Sequence, residues 1–239
     1  MSEHSAGQPW AGYRRRTEEL YAKRPNTFLE QYREILNWQQ ELAADFRIGG
    51  GDTLFHRLST AELARSLQRK ARVIDAEMLS DYLLGGGKET QYPRDFVPRV
   101  ALQAFATMSR LATHRTIDTT RNHCPHCGFP VLMLALRPEG DGRKRFAVCS
   151  LCSAEWSAPR LDCIHCAEQR PEQLPVFTFE QWPHIRVQAC ETCQSFLKIV
   201  DVSVDGHAIP VVDDIASPEV TVWAAEQGYR ASAFNLLGV

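Results

Sequence analysis

The sequence predicts an α+β protein, helical in its first half and built of cysteine-bearing β-hairpins in its second. Three observations predict it. Apolar positions in the first half recur at helical spacing. All eight cysteines fall between Cys124 and Cys193. Short strand-like runs separated by turn residues fill the intervals between them. Charge divides at the same point: residues 1–123 carry 18 Lys+Arg against 15 Asp+Glu (+3), and residues 124–239 carry 9 against 14 (−5).

In the helical half, Phe28, Tyr32, Ile35, Leu36, Leu42 and Phe46 fall mostly three, four and seven apart, with Asn26 as N-cap and Gly49-Gly50-Gly51-Asp52 as terminator. Shorter helices are predicted over 61–71, capped by Ser59 or Thr60, and over 75–84, stopped by Gly85-Gly86-Gly87. Another is predicted over 97–113, with Val100, Phe105, Met108 and Leu111 facing a core. Four or five such helices make a small bundle. Arg14-Arg15-Arg16 invites comparison with a twin-arginine export signal, but Thr17-Glu18-Glu19 follows instead of an apolar run. With no stretch of roughly 18 apolar residues and 44% hydrophobic against 23% charged residues overall, the expectation is a soluble, cytoplasmic protein.

In the second half, Val131–Leu136 and Arg145–Val148 are predicted strands around the turn chemistry of 138–142. Val176–Phe179 and Ile185–Gln188 repeat the pattern around Gln181-Trp182-Pro183-His184. A last strand over 196–202 and a C-terminal helix over 217–227 complete the reading. Cysteine spacing repeats with the strands: Cys124-x2-Cys127, 21 residues, Cys149-x2-Cys152; then Cys163-x2-Cys166, 23 residues, Cys190-x2-Cys193. Each unit is a turn, a hairpin and a second turn, the plan of a zinc ribbon or rubredoxin-like module used twice. The expected domains are therefore a helical one (1–122), a first module (123–160) and a second with the C-terminal helix (161–239).

Two cysteines two residues apart can turn both sulfurs towards one ion, and a hairpin that joins two such turns supplies four sulfurs in a tetrahedron. Gly128 after Cys127 suits that turn, because glycine tolerates positive φ. Ser153, Ala167 and Gln194 hold the matching places after the other pairs. The expected metal ligands are Cys124, Cys127, Cys149, Cys152, Cys163, Cys166, Cys190 and Cys193, and the expected load is two ions per chain. Disulfides would need an oxidising compartment. A thioredoxin-type site uses one motif at a helix N-terminus, and DnaJ-type zinc repeats need glycines that are absent after three of these pairs. Hairpin spacing favours sequential pairing over an interleaved one. His126 and His165, inside the turns, read as exposed turn residues; His184 and His207 carry no signal. Trp156 reads as a core or lid residue over the sulfurs. Four thiolates suit zinc and iron alike.

These residues resemble a family. Cys149-Ser150-Leu151-Cys152-Ser153-Ala154-Glu155-Trp156, followed by Arg160 and Cys163-Ile164-His165-Cys166, is similar to the central signature of the formate dehydrogenase accessory protein FdhE family. Cys124-Pro125-His126-Cys127-Gly128 and Cys190-Glu191-Thr192-Cys193, the latter leading into 196–200, stand in the same order. Asp213-Asp214 through Ser217, Glu226 through Arg230, and Asn235 resemble its end. The resemblance covers 120–239 and implies a cytoplasmic accessory factor, not an enzyme. It implies contact with the catalytic subunit of a molybdenum- or tungsten-containing formate dehydrogenase, helping to produce active enzyme before export. It also implies the eight cysteines as metal ligands and moves the expected ion from zinc towards iron. Trp156 and Arg160 match the motif without a chemical role.

Independently of the resemblance, the sequence carries no Gly-rich phosphate loop, nucleophile elbow or histidine–carboxylate spacing of a hydrolase. Four-cysteine sites are closed, whereas a catalytic zinc keeps an open position. Two other readings remain. A zinc-ribbon nucleic-acid or transcription adaptor is disfavoured by the −5 of the ribbon half, where only Arg143-Lys144-Arg145 makes a basic spot. An iron redox carrier acting on the same partner is compatible with the accessory role. The expected partners are thus a formate dehydrogenase catalytic subunit, with no nucleic acid and no membrane insertion. Candidate docking places are the junction at 115–124 and the C-terminal Phe234-Asn235-Leu236-Leu237, for which packing on the bundle is the preferred reading.

Overall fold

The computed structural model describes residues 9–45, 96–112 and 121–238. Helix α1 (Pro9–Lys23) opens it and buries Trp10, Arg16, Thr17 and Leu20. The sequence reading missed this helix because its buried face includes an arginine and a threonine, which blunts the apolar stripe. Helix α2 (Thr27–Asp45) is the expected one. The Asn26 side-chain oxygen accepts the Leu29 N–H at 2.9 Å, satisfying one of the free N–H groups of the first turn. Leu29, Tyr32, Ile35 and Leu36 form its buried stripe. Helix α3 (Phe96–Ala112) matches the predicted 97–113 and buries Val100, Phe105 and neighbouring alanines. Gln39 of α2 ties to it, its Nε2 donating to Gln103 Oε1 at 2.7 Å. The helices predicted over 61–71 and 75–84 lie outside the described residues.

The strands are β1 (Val131–Glu139), β2 (Gly142–Cys149), β3 (Glu155–Ser157), β4 (Val176–Phe179), β5 (Trp182–Cys190), β6 (Ser195–Asp201) and β7 (Arg230–Ala231). The hairpin turns are shorter than the sequence suggested. Strands β1 and β2 pair out to Glu139↔Gly142, and β5 starts at Trp182, so Trp182, Pro183 and His184 are strand, not turn. Each ribbon is an antiparallel three-stranded unit: β1, β2 and β3, then β4, β5 and β6. The two units join through a parallel pairing of β1 with β6, Leu134↔Ile199 to Leu136↔Asp201. One sheet of order β3-β2-β1-β6-β5-β4 results, with β7 beside β6. No local sequence signal announces that central pairing, because strands buried on both sides carry little alternation.

Met133, Ala135, Val148, Ile185, Val187 and Val200 share the main core with the helices. Val131, Leu134, Ala147, Leu197 and Ile199 make a smaller core with Ile164 of the third cysteine turn. In place of one C-terminal helix there are two, α4 (Pro210–Ala216) and α5 (Pro218–Glu226), each begun by a proline. Pro218 lacks the N–H that would continue α4, so Ser217 becomes the break between them. All of α4 is buried. Lys198 of β6 is buried too, its ammonium 2.7 Å from Asp214 Oδ1 and 2.9 Å from the Asp214 carbonyl. Asn235 donates to the other Asp214 oxygen at 2.8 Å. Leu236 and Leu237 are buried in the main core, so the tail packs inward as preferred, leaving Phe234 exposed.

Candidate metal centres

The hairpins bring the cysteine turns together in sequential pairs. Cys124, Cys127, Cys149 and Cys152 form one group, and Cys163, Cys166, Cys190 and Cys193 the other. In each, all four sulfurs lie within 4.8 Å of one another. Sγ separations are 3.6 Å for Cys124–Cys152, 3.4 Å for Cys127–Cys149, 3.7 Å for Cys163–Cys193 and 3.6 Å for Cys166–Cys190. A disulfide would bring two of them to about 2.05 Å, and all eight are free. A tetrahedron with metal–sulfur bonds near 2.3 Å has edges of about 3.8 Å. The spacing fits a single ion at the centre of each group.

The local chain is the same turn used four times. Gly128, Ser153, Ala167 and Gln194, each following the second cysteine of a pair, have φ of 75°, 55°, 60° and 55°. The N–H at that position donates to the carbonyl of the first cysteine in three of them: Gly128 to Cys124 at 2.9 Å, Ala167 to Cys163 at 3.0 Å and Gln194 to Cys190 at 2.8 Å. Three non-glycine residues held left-handed cost about 1–2 kcal/mol each, a strain the surrounding site must outweigh. Backbone N–H groups aim at sulfur: His126 at Cys124 Sγ (3.4 Å), and Leu151 and Cys152 at Cys149 Sγ (3.3 and 3.4 Å). Such bonds stabilise thiolate charge.

Thiols packed this closely cannot all ionise unaided. Hydrogen bonds from Cys127, Cys149 and Cys152 hold Cys124 far below the ordinary thiol range. Burial pushes Cys149 well above it, and the facing sulfurs of Cys124 and Cys127 do the same to Cys152. In the second group Cys166 is pushed up to about 12, by desolvation and by the sulfurs it faces. Cys193, against the desolvation of its sulfur, is brought to about 7 by the Ser195 hydroxyl and backbone N–H. The sulfurs oppose one another's ionisation; a bound cation would let all four be thiolates. The donor set therefore fits a soft, tetrahedral ion such as zinc or iron.

Burial separates the groups. Cys124, Cys149 and Cys152 are at most 1% exposed and belong to the main core. In the second group Cys166 is exposed and Cys193 half-buried. Beside it runs Arg145, buried, with its guanidinium bonded to the Gln188 side chain at 2.6 Å and the Arg160 carbonyl at 3.2 Å. Burial depresses that guanidinium to about 10, and the nearby Cys163 opposes the shift.

Several residues fall differently from the sequence reading. His126 and His165 are half-buried, not exposed, and each keeps one ring nitrogen buried without a hydrogen-bond partner. Burial lowers the pKa of His165. Trp156 is half-buried across both cores, its indole N–H donating to the Arg121 carbonyl at 3.4 Å. Arg160 serves through its carbonyl. His184, which carried no signal, is buried with Nε2 2.7 Å from Asp213 Oδ1, and Asp205 completes a third group of metal-type side chains. Its centre of charge is Arg16, whose guanidinium lies 2.5 Å from Asp213 Oδ1 and 2.7 Å from Asp205 Oδ2. The arginine supplies the cation there.

Helices laid on a fused double-ribbon sheet, with one cysteine tetrad per ribbon, define a tandem protein of the zinc-ribbon and rubredoxin-like class. Residues 123–160 match the family model "FdhE, central domain" and residues 161–237 match "FdhE, C-terminal domain". Over residues 123–237 the chain is thus similar to the central and C-terminal domains of the FdhE family. A protein FdhE homolog from Aquifex aeolicus is 34% identical over 119 residues, 49% of this chain and 42% of that protein. One from Pseudomonas aeruginosa is 33% identical over 123 residues, 49% of this chain and 40% of that protein. The chain thus spans about two fifths of the length of these curated relatives. The crystal structure of the FdhE protein from Pseudomonas aeruginosa shares the fold, with TM-score 0.76 and 20% identity over 100% of this chain and 98% of that one.

Proposed function

We propose that each tetrad ligates one metal ion, iron ahead of zinc, and that the chain is a cytoplasmic, non-enzymatic accessory factor. Its client is the catalytic subunit of a formate dehydrogenase, which it binds and helps to an active state before export. One observation carries the reading: the family match runs over the stretch that holds both complete tetrads. Further support comes from chemistry. Four sulfurs per ion leave no open coordination position for a substrate. Among the described residues no helix is long and apolar enough to cross a membrane. When bound, iron in such sites would supply one-electron chemistry, and zinc would supply folding energy alone. The protein's own part is to gather the sulfurs, aim N–H groups at them and bury three of the four sulfurs of the first site. A tagged chain recovered from its host under anaerobic conditions should bring down a formate dehydrogenase catalytic subunit. Recovery of RNA or polymerase in its place would overturn the proposal in favour of a nucleic-acid adaptor.

A further inference from the structure

We propose that the second tetrad is an exchangeable metal site, open from solvent to an incoming sulfur or nitrogen donor, while the first keeps its ion as part of the core. The inference rests on the reading that both tetrads ligate metal. The two have the same donors, so neither differs in intrinsic affinity through ligand type. They differ in who can reach the sulfurs. An ion held by four thiolates leaves only when one sulfur is detached, by a proton or by a competing ligand, and both must arrive from water.

At the first tetrad that approach is narrower, because its one half-buried cysteine, Cys127, packs against the main core. Cys124, Cys149 and Cys152 are at most 1% exposed. Helix α1 lays the half-buried Tyr13 against Ser153. Helix α3 fixes the fourth turn residue from the other side, Arg110 Nε donating to the Cys152 carbonyl at 3.1 Å. At the second tetrad no helix among the described residues intervenes in this way. Cys163 and Cys190 share their small apolar cluster with Leu174 and the half-buried Cys193, and Cys166 stands exposed. The two cysteine turns are latched to each other at the surface, Thr192 Oγ1 donating to Glu168 Oε2 at 2.7 Å. A small cavity lies behind Cys163 and Cys190, lined also by His165 and Gln188. Detaching Cys166 therefore breaks a metal–sulfur bond and little packing, whereas detaching any buried cysteine of the first tetrad opens the main core.

The test uses the full chain loaded with zinc and an excess of the chromophoric chelator 4-(2-pyridylazo)resorcinol. Zinc should leave in two phases of equal amplitude, the rates at least about tenfold apart, the order by which surroundings alone tune a metal site. Iodoacetamide added after the fast phase, its iodide displaced by each freed thiolate, should label Cys163, Cys166, Cys190 and Cys193. The variant Cys166→Ser should lose the fast phase and keep the slow one. Release in a single phase would overturn the inference, as would early label on the first tetrad or loss of both ions from Cys166→Ser. A chain that takes up no zinc at all would overturn the ligation reading beneath it.

Discussion

Arg16 is 2% exposed and holds two carboxylates, Asp213 and Asp205, that lie 197 and 189 residues further along the chain. In the sequence it is the third of three arginines, and nothing nearby marks it. Its partners are set only by the fold, so the pairing was not legible, and neither was the burial of His184 beside the same Asp213. The cysteines are the opposite case: each pair writes its own geometry locally, and hairpin spacing supplies the rest. Two predictions belong here. Arg16→Ala should lower stability by about 3–5 kcal/mol, because it leaves a fully buried carboxylate without its cation; urea denaturation of the purified chain measures this, and a loss within a few tenths would refute the pairing. Cys124→Ser should remove one metal ion and destabilise the first ribbon by an amount on the order of 10 kcal/mol, the scale of a structural zinc site. Metal content and melting temperature unchanged from the parent would show that Cys124 is not a ligand.

Element by element, helices α2 and α3 and the strands of both hairpins were legible from periodicity, and Asn26 marked its N-cap. Helix α1 was not, because polar Arg16 and Thr17 occupy its inner face. Helix α4 was missed because seven residues buried on every side show no amphipathic rhythm. The cysteine turns carry a separate lesson. Glycine at 128 announced one; the left-handed alanine at 167 announced nothing, although its backbone is the same. Ala167→Gly should therefore raise the stability of the metal-loaded chain by about 1 kcal/mol, through relief of the left-handed penalty. A shift of the urea midpoint in the other direction would mean that the turn is not strained there.

At the scale of the molecule, the charge split and the cysteine repeat foretold two halves and two metal-type sites. What they did not show is that the ribbons share one sheet through β1 and β6. Strand pairing between residues 65 apart in the chain depends on both faces of the sheet being covered, by helices on one side and by Ile164 and its neighbours on the other. Acid acts on both sites at once. Thiolates must lose their protons to bind metal, so metal affinity falls as pH falls. Lowering the pH should release the ions, with loss of ribbon structure following and not preceding release; circular dichroism recorded alongside metal release checks the order.

The central claim is that each tetrad holds one ion. Elemental analysis with a visible absorption spectrum tests it most directly, on chain purified anaerobically from iron-replete cells. The account predicts about two metal ions per chain, and for iron a thiolate-to-metal charge-transfer colour that bleaches on reduction. Two zinc ions without colour would keep both tetrads as metal sites and remove the redox role. A folded chain with no bound metal and eight titratable thiols would contradict the account.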